Sequence, residues 1–256
     1  MTVPLDQLER TRHDDELAPS PAGTLPIAET FSSIQGEGSL VGVPSFFIRL
    51  SGCNLRCAWC DTPYASWSPE QTPRSIASLV DEATASRVRH VVITGGEPML
   101  FGGLGVLCRA LRVHGLHITI ESAGTVLPPG FEREPLEVDL MSLSPKLTNS
   151  TPGAESGWRE RHESRRLQPG VLRALLDAYP THQLKFVVQR ESDLFEIDGI
   201  LSELPMVRAQ DVLLMPEGVT PASEEQRAWI ARVCQDRGFR YGHRLHIDLY
   251  GNTRGT

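Results

Sequence analysis

Apolar and polar positions along the chain fall into a repeating beat of short, uninterrupted apolar runs and longer stretches with helical spacing. Val43-Pro44-Ser45-Phe46-Phe47-Ile48-Arg49-Leu50 reads as a first buried strand, and similar runs follow at 90–94, 117–121, 136–143, 183–188 and 212–215. Helices are predicted over 75–86, 101–114, 171–179, 193–204 (with a glycine interruption at Gly199) and 223–237, where Ser223 and Glu224-Glu225 suit an N-terminal cap. Residues 149–168 read as a polar loop and 240–256 as a strand-like tail. Strands alternating with helices mean parallel β-structure with crossover helices, an α/β fold. Six strands make it a partial (βα)6 TIM-like barrel, a scaffold that places chemistry at strand C-termini. No repeat of 20–50 residues is present.

Composition narrows the picture. Residues 1–24 are polar, mixed in charge and rich in Pro, Ala, Ser and Gly near their end, which predicts a loosely attached extension ahead of one domain over 25–256. With 256 residues and 40% apolar content, the chain can bury a sizeable single core. A formal charge of -7 argues against a general nucleic-acid surface, though not against a small anionic ligand. No apolar run approaches the roughly 18 residues that span a bilayer, and residues 1–24 lack a signal peptide's apolar core. A cytoplasmic protein is therefore expected. Cys108 and Cys234 sit singly in helix-like segments and read as core residues, so no disulfide framework is predicted.

The other three of the five cysteines, Cys53, Cys57 and Cys60, fall within eight residues directly after the first strand. That spacing can point three thiolates at one centre and supplies no fourth ligand. Iron–sulfur clusters are commonly held by four cysteines, so three imply a cubane with one iron left for something other than protein. Zinc is the rival, but structural zinc sites are closed tetrahedra built from paired units, and the chain has no second pair. Arg49 is an anomaly in an apolar strand: a guanidinium there needs a partner, either a carboxylate of its own chain or one on a ligand. Periodicity does not decide whether it faces inward. Gln35-Gly36-Glu37-Gly38 and Gly95-Gly96-Glu97-Pro98 bring glycines beside acids, where backbone can approach a ligand or simply turn.

Cys-x3-Cys-x2-Cys with Trp59 before the third cysteine resembles the signature of the radical S-adenosylmethionine (SAM) superfamily, and Gly95-Gly96-Glu97-Pro98 is similar to its GGEP motif. The resemblance, which runs over about 43–217, implies a [4Fe–4S] cluster on Cys53, Cys57 and Cys60, with SAM on the open iron and a 5′-deoxyadenosyl radical as oxidant. Gln35-Gly36-Glu37-Gly38, Arg49, Asp61-Thr62 and Ser144-Pro145-Lys146 together resemble the 7-carboxy-7-deazaguanine synthase (QueE) family. That family converts 6-carboxy-5,6,7,8-tetrahydropterin to 7-carboxy-7-deazaguanine with loss of ammonia, needs magnesium, and feeds queuosine and related deazapurines.

Carried over by this resemblance, Trp59, Cys60, Asp61, Gly95, Gly96, Glu97, Ser144, Pro145 and Lys146 would line SAM, with Glu97 meeting its ammonium, and Thr62 would ligate magnesium. Ile34, Gln35, Gly36, Glu37, Arg49, Thr94 and Glu121 would face the pterin, as would His246, which is equally open to a structural role. No acid–base residue is implied, because the radical comes from SAM. Also implied are a homodimer and an electron donor such as flavodoxin or ferredoxin. The chain departs from the family at residues 1–24 and at Met215, where some members carry a polar side chain; a contact from the Thr256 carboxylate has no support in the residues. Two rivals stand beside this: a glycyl-radical enzyme activating enzyme acting on a protein partner, and a zinc-stabilised binding module.

Overall fold

The computed structural model describes residues 23–256, so residues 1–22, almost all of the expected extension, lie outside the described residues. All six predicted strands form: β2 (Pro44–Leu50), β4 (His90–Gly95), β5 (His117–Ser122), β6 (Leu140–Leu143), β7 (His182–Val188) and β8 (Val212–Pro216). Each is parallel to its neighbours in that series, and a two-residue β9 (Arg240–Tyr241) extends it. At the other side β1 (Thr24–Ile34) runs antiparallel to β2, and β3 (Thr72–Ser75) antiparallel to β1. The sheet order is β3-β1-β2-β4-β5-β6-β7-β8-β9. No pairing joins the two ends among the described residues, so the sheet is an open, partial barrel.

The helices are α1 (Ile76–Ala85), α2 (Leu104–Val113), α3 (Arg159–Arg165), α4 (Pro169–Ala178), α5 (Asp193–Ser202), α6 (Glu224–Arg237) and α7 (Leu245–Tyr250). In α2 the buried residues Leu104, Leu107, Cys108 and Leu111 follow an i, i+3, i+4, i+7 stripe, which is why it lies on the sheet. Ser223 caps α6 as expected, its hydroxyl accepting from the amide of Gln226 at 3.1 Å. Both Cys108 and Cys234 are buried core residues.

Period-two alternation sorts the strands into two faces. Phe46, Ile48 and Leu50, Val91 and Ile93, Ile118 and Ile120, and Leu184, Phe186 and Val188 belong to the hydrophobic core that also takes in the buried faces of the helices. The intervening residues include Ser45, Arg49, Thr94, Thr119, Glu121, Gln183 and Lys185, a polar series on the opposite face. At its lower end His90 bridges the hydroxyls of Ser45 (2.7 Å) and Thr119 (2.8 Å).

Four local expectations are corrected. β1 is not legible as a strand because only Leu25, Pro26 and Ile27 are buried in it; the rest is the half-exposed, polar fabric of a strand near a sheet edge. The strand expected over 136–143 contracts to Leu140–Leu143, since the Asp139 carboxylate takes the Ile118 amide at 2.7 Å and Arg112 at 2.8 Å. The expected loop 149–168 contains α3, whose seven residues are all polar and whose buried members, His162 and Arg165, are held by hydrogen bonds. His246 lies in α7, not in a strand-like tail.

Candidate active site

At the C-terminal ends of β2, β4, β5, β6, β7 and β8 a cleft of about 210 Å³ opens, where a single buried water occupies roughly 10–15 Å³. It admits organic ligands. Of the residues expected at the cluster, SAM, magnesium or the pterin, all form its walls except Ile34, Gly36, Glu97 and Pro145.

Cys53, Cys57 and Cys60 all face the cleft from the loop that follows β2. The loop is braced from outside. Arg56 donates to the carbonyls of Cys53 (2.7 Å) and Leu55 (2.8 Å) and lies 4.1 Å from the Trp158 ring; Trp67 donates to the Cys57 carbonyl at 3.0 Å, and Ala58 to that of Ser150 at 2.8 Å. The Arg56 amide donates to His162 of α3 at 3.2 Å. Burial pushes the Cys57 thiol up to about 12 and Cys53 higher still, so without a cationic partner both stay protonated. All three cysteines line the same cleft. Yet among the described residues no three His, Cys, Asp or Glu side chains gather closely enough to hold one ion. Three thiols on the cleft wall, with no fourth among the residues that line it, match the ligand set of a cubane with one iron left open rather than a closed zinc tetrahedron. Cys60 also contacts Ser66 Oγ at 3.1 Å.

The Gly95-Gly96 turn docks backbone to backbone on this loop. Gly96 donates to the Leu50 carbonyl at 3.1 Å, and Glu97 to that of Gly52 at 2.9 Å. A Cβ at Gly96 would lie 2.2 Å from the Gly52 oxygen and 2.6 Å from that of Ala65; Gly95 has φ +152° and would meet the Leu50 carbonyl. Only glycine fits there. The Glu97 carboxylate is fully buried, is pushed up by that burial, and accepts from Met99 N (3.0 Å), Ser122 Oγ (2.8 Å) and Ala123 N (2.8 Å). It secures the ends of β4 and β5 directly behind the Gly95-Gly96 turn. Lys146 bonds Ser144 Oγ at 2.8 Å and lies 5.5 Å from the Trp59 ring.

Across the cleft Arg49 points inward. Its Nε donates to Glu29 Oε1 at 2.7 Å, directly opposite in the β1–β2 register, so it has a partner within its own chain. Its Nη nitrogens have no partner among the described residues. Tyr64 also donates to Glu29, at 2.6 Å. Glu37 binds Lys185 at 2.9 Å and Arg244 at 3.1 Å; burial alone would raise its carboxyl, but these cations and His246 hold it well below the usual carboxylate range. Lys185 reaches Glu121 at 3.2 Å, and Gln35 donates to the same oxygen at 3.2 Å. Gly36 is packed beneath His246, and its carbonyl accepts from Leu245 N at 2.9 Å. Thr256 is not a wall residue.

Lys185 and Arg244 were not singled out in the sequence. For Lys185 the signal existed: a cation between Leu184 and Phe186 in an apolar strand is the same anomaly as Arg49. Arg244, in the tail, carries no such mark.

An open, largely parallel sheet with a three-cysteine loop after its first parallel strand and a glycine turn on the next defines a radical SAM enzyme. The model of the radical SAM superfamily matches residues 47–165. A 7-carboxy-7-deazaguanine synthase of Rhodopirellula baltica is 45% identical over 236 residues, covering 91% of this chain and 89% of that one. The synthase of Halobacterium salinarum is 42% identical over 245 residues, covering 91% and 93%. Among solved structures, QueE from Escherichia coli superposes with a TM-score of 0.65 at 26% identity, covering 87% of this chain and 95% of that one. The chain belongs to the 7-carboxy-7-deazaguanine synthase family. As a member of it the protein is an enzyme for a small-molecule substrate, with a [4Fe–4S] cluster, SAM and magnesium as cofactors. Among the described residues no helix is long and apolar enough to cross a membrane.

Proposed function

We propose that this chain turns 6-carboxy-5,6,7,8-tetrahydropterin into 7-carboxy-7-deazaguanine and ammonia, with the residue roles that follow. Cys53, Cys57 and Cys60 hold the cluster, and Trp59, Asp61, Gly95, Gly96, Ser144 and Lys146 surround SAM; when bound, the pair supplies the one-electron chemistry that removes a hydrogen atom from the substrate. Gly95 and Gly96 bring backbone up to the ligand, and Glu97, buried behind that turn, is the carboxylate that meets SAM's ammonium. Pro145 lies between Ser144 and Lys146 in the segment that follows β6.

The observation that carries the substrate reading is the wall opposite the cysteines. Arg49 gives Nε to Glu29 and turns its unpartnered nitrogens to the cleft, where a ligand carboxylate is their natural complement. Gln35, Glu37, Glu121, Thr94 and His246 offer the mixed donors and acceptors that an aminopyrimidinone edge requires. Ile34 and Gly36 shape that wall through the backbone. This suits a small carboxylated ring better than the polypeptide loop of a glycyl-radical enzyme. For magnesium the chain offers the Thr62 hydroxyl at the cleft wall, while the neighbouring Asp61 is bound to Arg244. A hard cation would complete its shell there with substrate oxygens and water.

The enclosing barrel holds the substrate against the cluster side and limits water. We assign the protein to the cytoplasm, in keeping with five free cysteines among the described residues. Residues 1–24 remain, in this proposal, an extension on one domain, the protein a homodimer, and its reductant a flavodoxin or ferredoxin.

The test is anaerobic reconstitution followed by incubation with carboxytetrahydropterin, SAM, magnesium and dithionite. SAM-dependent formation of carboxydeazaguanine with equimolar ammonia is expected. No product, with glycyl-radical formation on a partner enzyme, would install the rival.

A further inference from the structure

Five charged side chains stand in alternation across the cleft: Glu121 at the end of β5, Lys185 in β7, Glu37 after β1, Arg244 before α7, and Asp61 beside the third cysteine. Successive contacts measure 3.2, 2.9, 3.1 and 2.6 Å. The two cations at its centre are well shielded, with side-chain exposures of 3% for Lys185 and 13% for Arg244. In such surroundings ion pairs constrain geometry more than exposed pairs do.

Arg244 uses a different nitrogen for each of three segments. Nε goes to Glu37, Nη2 to Asp61, and Nη1 to the Gly218 carbonyl after β8. A planar guanidinium that grips three acceptors sets their relative positions, which a single ammonium cannot do. At the far end, Glu121 receives both Lys185 and Gln35 on Oε1, and Oε2 has no partner among the described residues.

We propose that this ladder couples the cofactor side of the cleft to the substrate side, with Arg244 as the positioning residue that carries the coupling. The inference rests on the reading above that Asp61 faces SAM while Glu37 and Glu121 face the pterin. A ligand that orders one of Arg244's carboxylates orders the other through the shared guanidinium, so the second ligand meets a site already set. By linkage the effect is reciprocal: each ligand tightens the other by the same factor.

The test uses the full chain with its cluster reconstituted and oxidised, without reductant, so that both ligands bind and nothing turns over. The dissociation constant of SAM is measured by calorimetry with and without saturating carboxytetrahydropterin, and that of the pterin with and without SAM. For the unaltered protein the two ratios should agree and lie in the range of about 5–150 typical of coupled sites. In Arg244→Gln both ligands should still bind while the ratio falls to near unity; Arg244→Lys should keep an intermediate ratio. A ratio of one or less in the unaltered protein overturns the proposal, as does a full ratio in Arg244→Gln at normal iron content. If Arg244→Gln fails to fold, a full ratio in Arg244→Lys overturns it instead. Failure of the pterin to bind the unaltered protein would refute the substrate assignment itself, a separate outcome from binding without coupling.

Discussion

Replacing Arg49 by lysine keeps the charge and removes the fork. Arg49 meets two demands at once: Nε satisfies Glu29 at 2.7 Å, and the Nη pair remains for a ligand at the cleft wall. A lysine has one nitrogen, and Glu29, whose side chain is only 11% exposed, will compete for it. Hydrogen bonds to charged groups are worth about 1.5–3 kcal/mol each, so losing the ligand's share should weaken carboxytetrahydropterin binding by about 2–3 kcal/mol. That corresponds to a dissociation constant roughly 30–150-fold higher. The fold should tolerate the change, because Glu29 keeps Tyr64 at 2.6 Å and Arg254 at 3.3 Å. Calorimetric titration of the oxidised holoenzyme reads the effect, with SAM affinity and iron content as internal controls that should not move. Unchanged pterin affinity would remove Arg49 from substrate recognition; a parallel loss of SAM affinity would show that it supports the whole cleft.

Two further outcomes follow from the geometry. Gly96→Ala places a methyl against two backbone carbonyls at 2.2 and 2.6 Å, neither of which can swing aside. Over-packing of about 3 kcal/mol should lower the thermal midpoint by roughly 6–12 °C, and an unchanged midpoint would mean that the turn is not docked as described. His90 is lowered to about 4 from 6.5, chiefly by burial and also by His117, with Asp139 opposing. Between those two values the unfolded chain binds more protons than the folded one, so stability rises with pH through that window and is complete above 6.5. Urea unfolding should show a loss of at most about 3 kcal/mol on acidification across the window, and His90→Gln should flatten that slope; an equal slope in the variant would contradict it.

Much of this molecule could be read before folding was considered. The six parallel strands and five longer helices are periodic, and periodicity is a local property. Cys53, Cys57 and Cys60, the two glycines and the Ser144-Pro145-Lys146 segment were legible because their spacing within short segments matters, and a short segment carries its spacing with it. Glu97 shows the limit: its motif is legible, but the three donors that hold its carboxylate, two of them from β5 and the residue after it, come together only in the fold. α3 and α7 escaped notice because tertiary bonds, and not an apolar stripe, hold them.

The sequence alone determined which segments extend, which coil, and which few residues can grip a cluster. Folding decided the rest. Whether Arg49 faces the helices or the cleft depends on strand register, because one step along a strand reverses the side chain's direction. The alternating charges from Glu121 to Asp61 come from segments up to 207 residues apart, as in the bond between Glu37 and Arg244. Such a pairing has no trace in either segment; it exists only once β1, β7 and the C-terminal helix have been brought to the same end of the sheet.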